Sequence, residues 1–337
     1  MDRLSDYDYE LPELLIAQTP LEDRAASKLL YLHRSSGEIE DRSFTDVVGI
    51  LEPGDLLVMN NTRVTALRLC GHKPTGGQVE ALLLRETSEG IFEALLKPAK
   101  RLKPGSPVLF EGGLTAKVLR ELTEPLREIA FELAPGWRDR LYTSGQTPLP
   151  PYIAETLRDQ ERYQTVYAEV GGSAAAPTAG LHFTSELLKE IRAKGVQTAS
   201  VTLGVSLDTF RPVTTEDLAD HKMHGEVCSI PPETADAIQK ARGRIIAVGT
   251  TTARTLESFA IGRRRVEPGS KKTSIFIRPG FEFQILDGMF TNFHMPRTTM
   301  LAMISALAGR PNIMRSYAHA IQHRYRFLSF GDSMLIL

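Results

Sequence analysis

Cysteine is nearly missing from this 337-residue chain. Cys70 and Cys228 are the only two, so there is neither a disulfide framework nor a C-x-x-C metal pair. Long apolar runs are missing as well. The longest apolar helix candidate, Met300 to Ala308, is far short of a bilayer span. The first ten residues carry Asp2, Asp6, Asp8 and Glu10 and no apolar core, which excludes a signal peptide. Charge of one sign is lacking too: 40 Lys and Arg against 41 Asp and Glu give a net charge of −1. Any contact with nucleic acid must therefore come from local patches. Together these absences read as a protein of a reducing, cytoplasmic compartment with no membrane partner.

Several motifs are absent in turn. There is no G-x-G-x-x-G, no G-x-x-x-x-G-K-[ST] and no H-E-x-x-H. Ordinary dinucleotide binding, P-loop chemistry and a methyltransferase built on a glycine-rich first turn are thereby disfavoured. No internal repeat or low-complexity segment is present. What remains is an ordinary composition, 42% hydrophobic and 24% charged, in a chain long enough for two domains.

The pattern changes character twice along the chain. Residues 11–17 read as a helix, 29–32 and 38–43 as a hairpin, and 55–60 as a buried strand after Pro53-Gly54. From about Val64 to Ala134 the runs are short: 78–84, 92–97, 107–110, 114–119 and 128–133, with Gly and Pro between them. Such spacing predicts a small closed antiparallel β-barrel. Beyond Pro148-Leu-Pro-Pro151, helices and strands alternate: helix 185–193, strand 196–203, helix 232–242, strand 244–248 and helix 255–260. Thr214-Thr-Glu-Asp217 reads as a capping box for a further short helix. The alternation predicts a mixed α/β domain on a largely parallel sheet. The fold class is therefore a large α/β domain, residues 1–62 and 148–337, interrupted by an inserted barrel, residues 63–147.

Polar residues gather at the predicted element ends. Ala175 to Thr184 places small residues, a proline, a glycine and His182 before a helix for which Thr184 is a plausible cap. Such a loop suits an anionic or nucleotide-like ligand, with His182 available for proton transfer; a tight structural turn is the alternative. Gly249-Thr-Thr-Thr-Ala-Arg254 follows a strand, where ligands of open α/β sheets bind. Its hydroxyls and arginine suit a carboxylate or phosphate, or simply cap a helix. His221-Lys-Met-His224 has the spacing of a metal pair but lacks third and fourth ligands, so no metal is expected. Asn292 and His294 precede a helix with Pro296 at its start, in which Met300, Leu301, Ile304 and Leu307 are core positions. Asn60-Asn-Thr-Arg63 marks the edge of a cleft where the domains meet. Basic residues cluster at Lys97, Lys100, Arg101 and Lys103, at Arg263 to Arg265 with Lys271 and Lys272, and at Arg324 with Arg326. On one side they would give salt-dependent RNA binding.

In order along the chain, the motifs are Tyr7-Asp-Tyr-Glu-Leu-Pro12, Pro53-Gly-Asp-Leu-Leu57, Asn61-Thr-Arg-Val64, Pro148-Leu-Pro-Pro-Tyr-Ile153 and Glu161-Arg-Tyr-Gln-Thr-Val-Tyr167. Ala175–Thr184, Thr209-Phe-Arg-Pro-Val213, His221-Lys-Met-His224, Val248-Gly-Thr-Thr251, Arg254-Thr-Leu-Glu-Ser258, Thr291-Asn-Phe-His294 and Tyr325-Arg-Phe327 with Gly331-Asp332 follow. This series closely resembles, end to end, the S-adenosylmethionine:tRNA ribosyltransferase-isomerase family of queuosine biosynthesis. The resemblance implies transfer and isomerisation of the ribosyl group of S-adenosylmethionine onto 7-aminomethyl-7-deazaguanine at the tRNA wobble position. Epoxyqueuosine-tRNA forms, and adenine and methionine are released.

That chemistry asks for groups titrating near neutrality. It implies His182, His221 and His294 as proton carriers and Glu169 as a carboxylate partner for a cation. Asn60, Arg63, Thr178, Thr184, Lys222, His224, Thr250, Thr251, Arg254 and Asn292 would contact substrate, and Lys97, Lys100, Arg101 and Lys103 the tRNA. S-adenosylmethionine is then a substrate, no separate cofactor is required, and a monomer is expected. The chain departs from the family pattern at Gly204, Ser206 and Asp208, where His, Gly and Gly are usual. Asn61 stands for an aspartate, Arg278 for a tyrosine and Arg297 for a lysine. Two other classes fit the residues alone: a non-catalytic RNA-binding protein, and a related enzyme acting on a free nucleobase or small amine.

Overall fold

The computed structural model describes residues 2–122, 125–205 and 213–337. In chain order the strands are β1 (Lys28–Leu32), β2 (Ile39–Ser43), β3 (Leu56–Asn60), β4 (Thr62–Val64), β5 (Leu67–His72), β6 (Gln78–Ser88), β7 (Ile91–Lys97), β8 (Pro107–Phe110), β9 (Leu114–Glu121) and β10 (Leu126–Phe131). There follow β11 (Val170–Ser173), β12 (Gln197–Leu203), β13 (Glu226–Ile230), β14 (Ile245–Val248), β15 (Ala260–Gly262), β16 (Arg265–Val266), β17 (Gly269–Thr273), β18 (Gly288–Asn292) and β19 (Ser333–Ile336). The α-helices are α1 (Val47–Ile50), α2 (Trp137–Ser144), α3 (Ser185–Ala193), α4 (Pro232–Lys240), α5 (Thr250–Ser258), α6 (Thr299–Ala308) and α7 (Arg310–Gln322). The chain forms two compact units. One comprises residues 1–62, 151–170 and 176–337, the other residues 63–150 and 171–175.

The larger unit is built on a nine-stranded sheet in the order β17-β13-β12-β3-β14-β18-β19-β1-β2. Its centre is parallel: β12 with β3, β3 with β14, and β14 with β18. The flanks depart from the largely parallel sheet expected. β13 runs antiparallel to β12, β17 to β13 and β19 to β18, while the antiparallel pair β1–β2 is the hairpin expected at 29–32 and 38–43. The central strands β3 and β14 are buried along their whole length, as continuous apolar runs between two layers must be. Phe44, Phe183 and Phe290 make the aromatic centre of one face, with Phe290 5.6 Å from Phe183 and 5.9 Å from Phe44 between ring centroids.

The smaller unit is a closed antiparallel barrel, β10-β7-β6-β5-β8-β9. Its strands alternate: Phe92, Ala94 and Leu96 of β7 point inward while their neighbours are more exposed. The expected barrel is present, with two additions, β5 and α2. Trp137 and Leu141 of α2 join the barrel core, and Trp137 stacks 6.3 Å from Phe131.

Three local expectations are corrected. Residues 11–17 do not form a helix beyond the single turn Glu13–Leu15. The backbone there is engaged by Phe327, whose carbonyl accepts from Ala17 and whose N–H donates to Leu15. The cap of the short turn Leu218–Asp220 is Asp217, whose carboxylate accepts from the Ala219 N–H, rather than a box opened by Thr214. The third helix start lies at Thr250 instead of Thr255, so the threonines form the first turn of α5.

Phe290 is fully buried among aromatic neighbours that cannot all collapse into its space. Phe290→Ala is expected to cost about 3–5 kcal/mol of unfolding free energy, read from urea denaturation.

Candidate active site at the carboxyl edge of the central strands

Because β12, β3, β14 and β18 are parallel neighbours, their carboxyl ends share one edge of the sheet. Asn60 ends β3 and is completely buried. Its Nδ2 donates to the Leu203 carbonyl at 3.1 Å and to Thr251 Oγ1 at 3.2 Å. Its Oδ1 accepts from the N–H groups of Leu203 and Thr62 at 3.0 and 3.1 Å. All four hydrogen-bonding positions of the amide are used. Asn60 is therefore a clamp beneath the site, and a wall residue it is not.

At the end of β14 the chain turns through Gly249, with φ of +91°, into α5. A side chain at that φ would be strained, and its Cβ would lie 3.5 Å from Ala179. The first turn of α5 opens onto a cavity of about 290 Å³ lined by Thr250, Thr251 and Arg254 with His221, Lys222 and His224. Phe276, Met300 and Met303 supply its apolar wall. Arg254 is 6% exposed and its Nη1 is paired with Glu226. Its Nε and Nη2 are buried with no hydrogen-bond partner, and so is His224 Nε2. Such orphaned donors are costly unless a ligand meets them. His221 lies in an extended segment, its ring edge-on to Phe276 at 5.4 Å. Burial, and then neighbouring His224, hold its pKa below the usual histidine range.

A second cavity, of about 580 Å³, adjoins at Val213 and Met300, which line both. Asn292, at the end of β18, forms its floor together with Thr178, and Tyr152, His294, Arg297 and Ser329 contribute to its walls. Asn292 Oδ1 accepts from Thr178 Oγ1 at 2.9 Å, while its Nδ2 meets His182 Nε2 at 3.2 Å. His182 Nδ1 meets Ser27 Oγ at 2.8 Å. The series Ser27–His182–Asn292–Thr178 fixes the histidine tautomer, Nδ1–H donating and Nε2 accepting. Burial, then Arg326 and Arg24, push the His182 pKa down to about 3. His294 Nε2 is held by Thr291 Oγ1 at 2.8 Å, and burial lowers its pKa to about 4.

The candidate residues thus divide. His221, Lys222, His224, Thr250, Thr251 and Arg254 meet in the first cavity, and Thr178, Asn292 and His294 in the second. His182 lines neither; both its ring nitrogens are occupied inside the protein, which sets it behind Asn292. Thr184 is the N-cap of α3, accepting from Leu187, and lines neither cavity. Glu169 is exposed and accepts from Asn61 Nδ2 at 3.3 Å, and Arg63 falls in the smaller unit. Lys97, the last residue of β7, and Lys100, Arg101 and Lys103 between β7 and β8 are exposed on the barrel, and Lys103 pairs with Glu121 at 3.1 Å. Arg263 and Arg264 are both paired with Asp287, which removes them as free basic surface. Gly204 donates its N–H to Val227, while Ser206 and Asp208 lie outside the described residues. Ser27 and Phe276 were not marked by the sequence, and Tyr152 only as part of the motif Pro148 to Ile153. One group among the described residues could hold a metal ion, Asp41 with His319 and His323; its His319 and Asp41 already pair at 3.0 Å, and it lines neither cavity. Among the described residues no helix is long and apolar enough to cross a membrane.

The family model for queuosine biosynthesis proteins matches residues 4–336. The chain belongs to this family. The S-adenosylmethionine:tRNA ribosyltransferase-isomerase of Symbiobacterium thermophilum is 51% identical over 340 residues, covering 99% of this chain and all of that one. The crystal structure of an S-adenosylmethionine tRNA ribosyltransferase from Thermotoga maritima matches with a TM-score of 0.57 at 37% identity, over 99% of this chain and all of that one. The sequence resemblance to the ribosyltransferase-isomerase family of queuosine biosynthesis is thereby established.

The buried histidines give the family fold a definite acid response. His182 and His294 have lower pKa values folded than the unfolded value near 6.5, so the unfolded chain binds more protons between that value and about 4. Their contribution is complete above pH 6.5 and is lost as pH falls, by at most about 1.4 kcal/mol per pH unit for each. Denaturant titrations from pH 7 to pH 4.5 should show this slope, reduced in His182→Gln.

Proposed function

We propose that this chain transfers and isomerises the ribosyl group of S-adenosylmethionine onto 7-aminomethyl-7-deazaguanine at the wobble position of tRNA, giving epoxyqueuosine-tRNA, adenine and methionine. One observation carries the proposal for the first cavity. An open helix N-terminus, exposed Lys222 and the orphaned donors of buried Arg254 converge on a space with an apolar wall. That donor set suits the carboxylate of the methionine moiety. Phe276, Met300 and Met303 suit its thioether-like chain and sulfonium, a cation that aromatic faces attract.

The larger cavity then receives the tRNA base, extruded from the anticodon loop. Asn292 and Ser329 offer hydrogen bonds to its edge, and Asn292 is pre-oriented because His182 and Thr178 hold both ends of its amide. The base amine and the ribose carbon meet where the cavities join, beside Met300. The sulfonium acidifies the ribose 5′ carbon, and a neutral base is needed to remove that proton. His221 fits, since its lowered pKa leaves it unprotonated near neutrality. His182 acts through Asn292 as a positioning residue. The exposed lysines and Arg101 of the barrel suit the tRNA backbone. The resemblance behind the sequence reading also supports a cytoplasmic protein with no cofactor beyond its substrate.

Adenine release from S-adenosylmethionine, measured by chromatography, is expected only with tRNA bearing the aminomethyl-deazaguanine, with ribosyl mass added to that base. Equal release without tRNA, or none with it, contradicts the proposal. His221→Ala should slow release by about 10²–10⁴-fold while tRNA affinity holds.

A further inference from the structure

Beyond the two cavities, a small cleft of about 20 Å³ lies on the far side of the 328–331 turn. It is lined by Arg24, Arg162, Leu21, Ser27, His182 and Ser329. Ser329 also lines the larger cavity, and His182 reaches Asn292 there, so the cleft and that cavity share one wall. The charged side chains that line the cleft, Arg24 and Arg162, are both cationic. Arg24 donates to the carbonyls of Gln164 and Glu161 at 2.6 and 3.0 Å, and Arg162 to those of Glu22, at 2.9 Å, and Leu21. Arg326, behind His182, donates to the carbonyl of Thr19. Among the described residues, none of the three has a carboxylate within ion-pair distance. Asp159 and Glu161 act on Arg24, and Asp332 on Arg326, only from further away.

Each guanidinium is oriented by neutral carbonyls, which fix its direction with no carboxylate in contact. Arg162 Nε and Arg326 Nη1 are also buried without a partner. Burial, and then Arg162, lower the pKa of Arg24, against the smaller opposite effects of Asp159 and Glu161. A planar guanidinium presents paired donors that match the oxygens of a phosphodiester.

We propose that Arg24, Arg162 and Arg326 bind a backbone phosphate of the tRNA, next to the nucleotide whose base enters the larger cavity. This rests on the preceding proposal that a tRNA base occupies that cavity. The phosphate fixes the sugar–phosphate backbone on one side of the His182–Asn292 wall while the base is read on the other. It also offsets the arginine charges that, with burial, keep His182 neutral.

The test is binding of an anticodon stem-loop RNA to the full chain from 50 to 200 mM KCl, for the wild type and two variants. Arg162→Gln removes one charge. Leu21→Glu removes no side-chain hydrogen bond and places a carboxylate beside the arginines. Both should weaken RNA binding about tenfold at 100 mM KCl, and Arg162→Gln should flatten the plot of log K against log salt by about 0.7, the value for one single-strand phosphate contact. S-adenosylmethionine affinity, measured in parallel, should not change. RNA affinity and salt slope equal to the wild type in both variants would overturn the phosphate site. So would saturation by inorganic phosphate at micromolar concentration without effect on RNA binding, which would make it a free-anion site. Absence of salt-dependent RNA binding by the wild type would instead remove the preceding proposal.

Discussion

The carboxamide of Asn60 meets three neighbouring pieces of chain at once: the last residue of β12, the start of β4 and the first turn of α5. No water-facing group remains on it, so its loss would leave the Leu203 N–H and carbonyl buried and unpaired. Unpaired buried groups cost about 1–3 kcal/mol each. The clamp matters because the site is made only of strand ends. β12, β3, β14 and β18 keep their register through parallel pairing, and the helix and turns that leave them inherit their positions from it. Sliding one strand would carry Thr250 and Asn292 away from each other and dissolve both cavities.

On that edge, chemistry divides by the kind of polar group. The cavity over α5 holds cationic and orphaned donors, and the cavity over β18 holds chiefly amides and hydroxyls, its one arginine, Arg297, being paired with Asp8 and Glu216. A charged small molecule and a neutral base edge ask for those two surfaces respectively. His182 belongs to the second group despite being a histidine. A ring pushed to a pKa of about 3 and bonded at both nitrogens orients an amide rather than exchanging protons with a substrate. Arg254 shows the converse: its ion pair with Glu226 anchors the guanidinium and leaves two of its nitrogens for a ligand.

Much of this was legible in the residues. The short barrel strands around Phe92 and Leu114, the buried run at Leu56 and the Thr184 cap all speak locally, and locally they were read. β5 was not among the runs read; Gly71 within it pairs closely with β8, where a Cβ would fall 2.3 Å from the Leu109 carbonyl oxygen. Of the antiparallel flanks of the large sheet, the β1–β2 hairpin was read, while the pairing of β13 with β17 was not, because it spans a long stretch of sequence. His182 was read as a proton carrier at the reacting centre, and its place behind Asn292 was not read. Its partners Ser27 and Asn292 lie 155 and 110 residues away, and nothing in a single chain reports that both ring nitrogens are taken. Asn60 suffered the opposite error, since a polar residue ending a strand looks like a surface until its four partners are known.

The division of substrates between two adjoining cavities is the claim from which the rest follows, and calorimetric titration of S-adenosylmethionine without tRNA tests it most directly. Lys222→Met, at the rim of the cavity over α5, should weaken binding at least tenfold, while Asn292→Ala, in the cavity over β18, should leave it unchanged. The reverse pattern, or equal losses in both variants, would contradict the account.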